Sequence, residues 1–131
     1  MRIILADHHV QPCWAIRTLL EDQPEFEIIG EAADAQHLLE LASVNPPDLV
    51  LIDAELPDLF IEELITQLHA LEPKPIVVAM GSEIESSRKL LKAGADAFVS
   101  KGDEPSWLLE TLKKFENQSK KTNNGISLTE E

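Results

Sequence analysis

Basic residues are scarce in this chain, tyrosine is absent and cysteine occurs once. Eleven Lys and Arg stand against 24 Asp and Glu over 131 residues, a formal net charge of −13. A surface of that sign repels nucleic acid and anionic membranes, which argues against DNA binding by this stretch on its own. Cys13 has no second cysteine and can form no internal disulfide. No apolar run is long enough to span a bilayer and no signal-peptide pattern is present, so a cytoplasmic setting is expected. The Gly-rich phosphate loop of many α/β nucleotide enzymes is also missing. His8-His9-Val10-Gln11-Pro12 stands in its place. With no Ser-His-Asp or Cys-His pattern either, a catalytic role on a flavodoxin-like sheet is the least favoured reading, and no enzyme activity is expected.

What the chain does have is a repeating order of apolar runs. At 44% hydrophobic and 27% charged residues, it has the make-up of one globular domain. Leu49-Val50-Leu51-Ile52 runs without alternation, as suits a strand buried on both faces of a parallel sheet, and Asp53 follows it directly. Comparable runs are Arg2–Ala6, Phe26–Glu31, Ile76–Met80 and Asp96–Ser100. A helical pattern follows each: Gln11–Asp22 with Ile16 and Leu19 inward, a stretch capped by Asp34, one starting at Pro57, one opened by a Ser82/Glu85 capping box and closed at Gly94, and one capped by Asp103. Five βα units predict a doubly wound (βα)5 sheet of the flavodoxin-like class, in the order 2-1-3-4-5. That order makes strands 1 and 3 neighbours, so Asp7 and Asp53 face each other at the carboxyl edge, with Ala79 and Lys101 on the same rim. Beyond Asn117 the polar composition predicts a flexible tail over residues 118–131.

Two facing carboxylates repel unless a cation separates them. A hard dication such as Mg2+ prefers oxygen ligands and keeps waters and a phosphate in its shell, and Lys101 can neutralise a further phosphoryl oxygen. Asp53 between a metal ion and an ammonium would be a nucleophile for phosphoryl transfer. Alternatively, Asp53 is a turn residue and Lys101 its structural ion-pair partner.

From Met1 to about Phe115 the chain resembles the receiver domain of a two-component response regulator, of the kind joined to a LuxR-type helix-turn-helix (NarL/FixJ-like). The resemblance is carried by Ile4-Leu5-Ala6-Asp7-His8-His9, by Pro47-Asp48-Leu49-Val50-Leu51-Ile52-Asp53 with Pro57, by Ala93-Gly94-Ala95-Asp96-Ala97-Phe98, and by Lys101. It implies a domain of residues 1–117 that takes a phosphoryl group from a sensor histidine kinase onto Asp53, with Lys101 as the phosphate contact. Ile126-Ser127-Leu128-Thr129-Glu130-Glu131 resembles the opening of the LuxR-type domain, so DNA would be met only through an absent C-terminal domain.

The pocket departs from that pattern. The second acidic residue after strand 1, a metal ligand in the family, is His8 here, and imidazole suits zinc, nickel or copper better than Mg2+. His8 is either a tolerated rim residue or half of a His8/His9 transition-metal site. The switch hydroxyl of strand 4 is assigned to Ala79, which has none, while the switch aromatic remains as Phe98. The glycines common after Pro57 give way to Asp58-Leu59-Phe60-Ile61. Glu55 offers a compensating third carboxylate, making Asp7, Asp53 and Glu55 the expected Mg2+ ligands, and output independent of phosphate is the favoured expectation. Trp14 and Trp107 fall at outward positions on the first and last helices, where together they would centre a surface for a homodimer or a partner protein, unless each ring folds over its own helix.

Overall fold

The computed structural model describes residues 1–82, 85–101 and 105–128, with side chains described outside 10–13, 85–86 and 119–128. Five strands, β1 (Arg2–Ala6), β2 (Glu27–Ala32), β3 (Leu49–Asp53), β4 (Ile76–Gly81) and β5 (Ala97–Ser100), alternate with α1 (Val10–Glu21), α2 (Ala35–Val44), α3 (Ile61–His69), α4 (Glu85–Lys92) and α5 (Pro105–Leu128). The strands pair in parallel in the order β2-β1-β3-β4-β5, as predicted. Leu49, Val50, Leu51 and Ile52 are wholly buried because helices cover both faces of the central strand. Val50 and Ile52 join the layer under α2, α3 and α4, and Leu49 and Leu51 join the layer under α1 and α5. Each such side chain contributes roughly 1.5–3 kcal/mol of burial, so β3 anchors whatever stands at its end.

The loops that frame the carboxyl edge differ from the sequence reading in one informative place. The helix expected from Pro57 begins only at Ile61, and Phe60 is 81% exposed at its N-cap. Asp58 breaks it: its backbone is left-handed, with φ of 73°. From there its carboxylate accepts hydrogen bonds from the amides of Ala35 (2.9 Å) and Gln36 (3.2 Å), while Asp34 accepts from the His37 amide (2.8 Å). Two acidic side chains thus satisfy the first amides of α2, one from the α2 cap itself and one from across the loop. The conformation that a glycine would supply is held by an aspartate whose side chain is tied down.

At the other end of the chain, α5 continues to Leu128, past Asn117, where the sequence predicts a flexible tail to begin. After Pro105 no proline removes an amide donor, and the single Gly125 costs a helix only about 1 kcal/mol. The Glu85 side chain of the Ser82/Glu85 capping box, and the Asp103 cap, lie outside what the structure describes.

Asp58 supplies a first prediction. Asp58→Gly keeps the left-handed backbone but loses the cap, and should cost about 1 kcal/mol; Asp58→Ala loses both and should cost about 2 kcal/mol, read as urea unfolding midpoints. Equal losses would show that the φ constraint contributes nothing.

Candidate functional site

Asp7 stands one residue beyond β1, its amide bound to the Ala32 carbonyl of β2 (3.0 Å). Asp53 is the last residue of β3, and Lys101 follows β5 with its amide on the Gly81 carbonyl (2.8 Å). Neighbouring strands β1 and β3 therefore bring the two carboxylates to one mouth, where Asp7 is 4% and Asp53 1% exposed. The Lys101 ammonium reaches across from β5 to both, 2.9 Å from Asp7 Oδ2 and 3.3 Å from Asp53 Oδ1. Residues 7, 53 and 101 converge as the topology predicts.

The two histidines close the other side. The His9 amide donates to Asp7 Oδ1 (2.8 Å), a tight turn that folds the His9 ring back over the pocket. His9 Nδ1 then lies 3.1 Å from Asp7 Oδ1 and 3.4 Å from Asp53 Oδ2, and His8 Nδ1 lies 3.3 Å from Asp53 Oδ2. The ring centroids are 3.9 Å apart. From the sequence His9 enters only as half of a possible His8/His9 transition-metal pair, the less favoured of the two readings of His8. Its signal was its position two places after Asp7, where an aspartate turn points the following side chains back at it.

Burial alone would push the Asp7 carboxyl up. The His9 amide and the Lys101 ammonium outweigh that and hold it below its ordinary value of 3.8. Asp53 is treated less evenly. Its Oδ1 has the Lys101 ammonium and the Glu55 amide (3.2 Å), but Oδ2 is fully buried with no hydrogen-bond partner among the described residues.

Two expected placements are corrected. Glu55 is exposed and meets Asp53 through its backbone amide, so its carboxylate does not join the cluster; the donors that converge are Asp7, His8, His9 and Asp53. The turn after β3 points the Glu55 side chain to solvent once its amide is spent on Asp53. The β4 residue beside Asp53 is Met80, not Ala79, which pairs with Ile52 and Phe98. β4 runs on to Gly81, so the switch position moves one residue along, to a side chain that likewise carries no hydroxyl. Phe98 packs on Gly81, where an added Cβ would lie 3.0 Å and 3.1 Å from ring atoms. Trp14 (61% exposed) and Trp107 (56%) are both outward, as expected, and neither lines the groove between α1 and α5. Trp14 lines a cleft of about 400 Å3 with Asp7, His8, His9, Arg17 and Glu31. The groove between α1 and α5, about 580 Å3, is lined by Ile16, Leu19, Met80, Val99, Lys101 and Leu108 among others, without either tryptophan. Residues 14 and 15 are about 100° apart on a helix, enough to send Trp14 to the far side of α1.

Residues 3–113 match the response regulator receiver domain family. The chain belongs to that family. The nitrate/nitrite response regulator NarL of Escherichia coli K12 is 30% identical to this receiver over 112 residues, 84% of this chain and 52% of NarL. A protein-glutamate methylesterase/protein-glutamine glutaminase of Methanospirillum hungatei is 30% identical over 77% of this chain and 30% of its own. The crystal structure of a LuxR-family two-component response regulator from Aurantimonas superposes with a TM-score of 0.82 at 25% identity, covering 89% of this chain and 85% of that one. The chain thus spans about half the length of NarL and less than a third of the methylesterase. No helix among the described residues is long and apolar enough to cross a membrane.

The family resemblance implies Mg2+ at this edge, and the donor set suits it poorly. Mg2+ wants octahedral oxygen at about 2.0–2.1 Å, yet the atoms that join the two carboxylates are imidazole nitrogens.

The Lys101 contacts give a test in metal-free, chelator-treated buffer. Lys101→Met leaves two buried carboxylates without their ammonium and should cost about 2–3 kcal/mol at pH 7, discounted because the lysine is partly exposed. Because Asp7 is held below 3.8 in the native state, its stabilising contribution is complete above that value and is lost as pH falls through the lowered one. The deficit of Lys101→Met should therefore shrink on acidification, as urea unfolding from pH 7 to pH 3 would show; a constant deficit rejects the pairing.

Proposed function

We propose that this chain is the receiver of a transcriptional response regulator whose output is set without a phosphoryl group on Asp53. The observation that carries the reading is the occupation of Asp53. Its carboxylate is 1% exposed, with Lys101 and the Glu55 amide on Oδ1 and the two imidazoles against Oδ2. A nucleophilic oxygen must reach a phosphorus atom in line with its leaving group, and no oxygen of Asp53 is open for that approach. The product would also be poorly held. Met80 offers no hydroxyl to a phosphoryl oxygen, and a hydrogen bond to a charged group contributes roughly 1.5–3 kcal/mol. The alternative, a Mg2+-dependent switch phosphorylated by a sensor histidine kinase, is favoured by one feature: Lys101 stands beside Asp53 Oδ1, where it would meet a phosphoryl oxygen.

Intact-mass measurement after incubation with Mg2+ and a small-molecule phosphodonor separates the two. The expected spectrum shows no phosphoryl adduct. An adduct that disappears in Asp53→Asn would overturn the reading in favour of the alternative.

Output of this kind needs a partner rather than a chemical trigger, and the exposed side of α1 and α5 supplies the surface for a second copy or another protein. Trp14 and Trp107 are large exposed apolar side chains on those two helices. If self-association uses this side, sedimentation should find the wild type as a dimer and Trp14→Ala with Trp107→Ala as a monomer. An unchanged mass rejects it. With 24 acidic residues against 11 basic, contact with DNA belongs to a further domain.

A further inference from the structure

We infer that Asp7, His8, His9 and Asp53 form a binding site for a transition-metal dication of the zinc class, in place of the Mg2+ that the family resemblance implies. The inference deepens the reading above, since a dication seated there uses the carboxylate atoms a phosphoryl group would need. The two fail separately, because a metal titration contains no phosphodonor.

Geometry is the first support. One donor atom from each of the four residues lies within 4.8 Å of every other. In a tetrahedral site with metal–nitrogen and metal–oxygen bonds near 2.0–2.1 Å, neighbouring donors stand about 3.3–3.4 Å apart. The three measured edges are 3.1 Å (His9 Nδ1 to Asp7 Oδ1), 3.3 Å (His8 Nδ1 to Asp53 Oδ2) and 3.4 Å (His9 Nδ1 to Asp53 Oδ2). Three of the six edges are thus already close to those of the polyhedron.

The second support is independent of spacing. Asp53 Oδ2 is fully buried and lacks a hydrogen bond among the described residues, although leaving a buried carboxylate oxygen unsatisfied is costly. That atom faces both imidazoles, so it points at the centre the other donors surround. The chemistry of the donors then selects the ion. Two imidazoles and two carboxylates suit zinc, and also copper or nickel, whereas Mg2+ would have to give up oxygen for nitrogen.

The surroundings are those of a supported site. Asp7 is oriented by the His9 amide on Oδ1 and by Lys101 on Oδ2, and Asp53 by the Glu55 amide, so the carboxylates are fixed from behind. Lys101 touches both carboxylates and balances one of their two negative charges, so one negative charge remains to be met by a dication. The histidine side chains are 35% and 45% exposed, and they open on the cleft lined by Trp14, Arg17 and Glu31, which gives an ion its way in.

The test is calorimetric titration of the chelator-treated protein with Zn2+, alongside titration with Co2+ followed by visible absorption. One equivalent of Zn2+ should bind and resist competition by excess Mg2+, and Co2+ should give the intense bands of a four-coordinate ion. His8→Ala and His9→Ala should each weaken binding by on the order of 10–100-fold. His69→Ala, whose ring pairs with Asp96 away from this cluster, should leave it unchanged. His8→Asp should lower the preference for Zn2+ over Mg2+, a change that general unfolding would not produce. Absence of Zn2+ binding, or binding that survives His8→Ala with His9→Ala, overturns the inference and leaves the contacts as histidine–carboxylate pairs only.

Discussion

Two carboxylates taken out of water within reach of one ammonium are the constraint around which this molecule is arranged. Removing an ion from water costs several kcal/mol even after the protein relaxes, so Asp7 and Asp53 are tolerable only if positive or polar groups are fixed beside them. The sheet order provides for this. β1 and β3 are adjacent, which forces the two acids together, and β5, two strands from β3, lends a lysine long enough to reach both. The rest of the core makes the arrangement rigid. Leu49 to Ile52 have no freedom to let Asp53 retreat, and the Ala32 carbonyl fixes the backbone at Asp7.

Much of this was legible in the sequence because it depends on period and topology. Buried parallel strands leave unbroken apolar runs, and the right-handed crossover rule then reduces the possible orders to very few. Residues 7, 53 and 101 could be brought together without coordinates for that reason. What escaped was set by single-residue register and by side-chain direction. Assigning the switch position to Ala79 instead of Met80 follows from ending β4 one residue early, and in a strand a one-residue slip sends the side chain to the opposite face. Asp58 was seen as a lost glycine, yet its positive φ is stabilised by two amides of α2, a contact between segments 22 and 23 residues apart. No local pattern encodes such a contact. Glu55 was credited with its carboxylate when its amide is the group that meets Asp53.

His8 and His9 show how far composition can mislead when the backbone turn is ignored. As letters they replace one acid by one base and add an exposed neighbour. In space the Asp7–His9 turn makes them a pair that roofs the pocket, with both Nδ1 atoms inward. The two imidazoles add nitrogen donors to the mouth while leaving the scaffold that gathers the acids untouched.

The pocket is also joined to the outer face through β4 and β5. The Lys101 amide is held by the Gly81 carbonyl, and the ring of Phe98, three residues before Lys101, rests on Gly81 so closely that an added Cβ would have to push it back. Asp53 is in turn tied to β4, since the next amide, Ala54, donates to the Met80 carbonyl (2.7 Å). A shift of the Lys101 backbone toward or away from the carboxylates would therefore move the Gly81 peptide or strain its hydrogen bond, and either displaces the floor under Phe98. Close packing transmits such a shift because there is no slack to absorb it. Change at the acidic mouth has a short mechanical route to the α4–β5 surface through Gly81, whatever ion or group occupies the mouth.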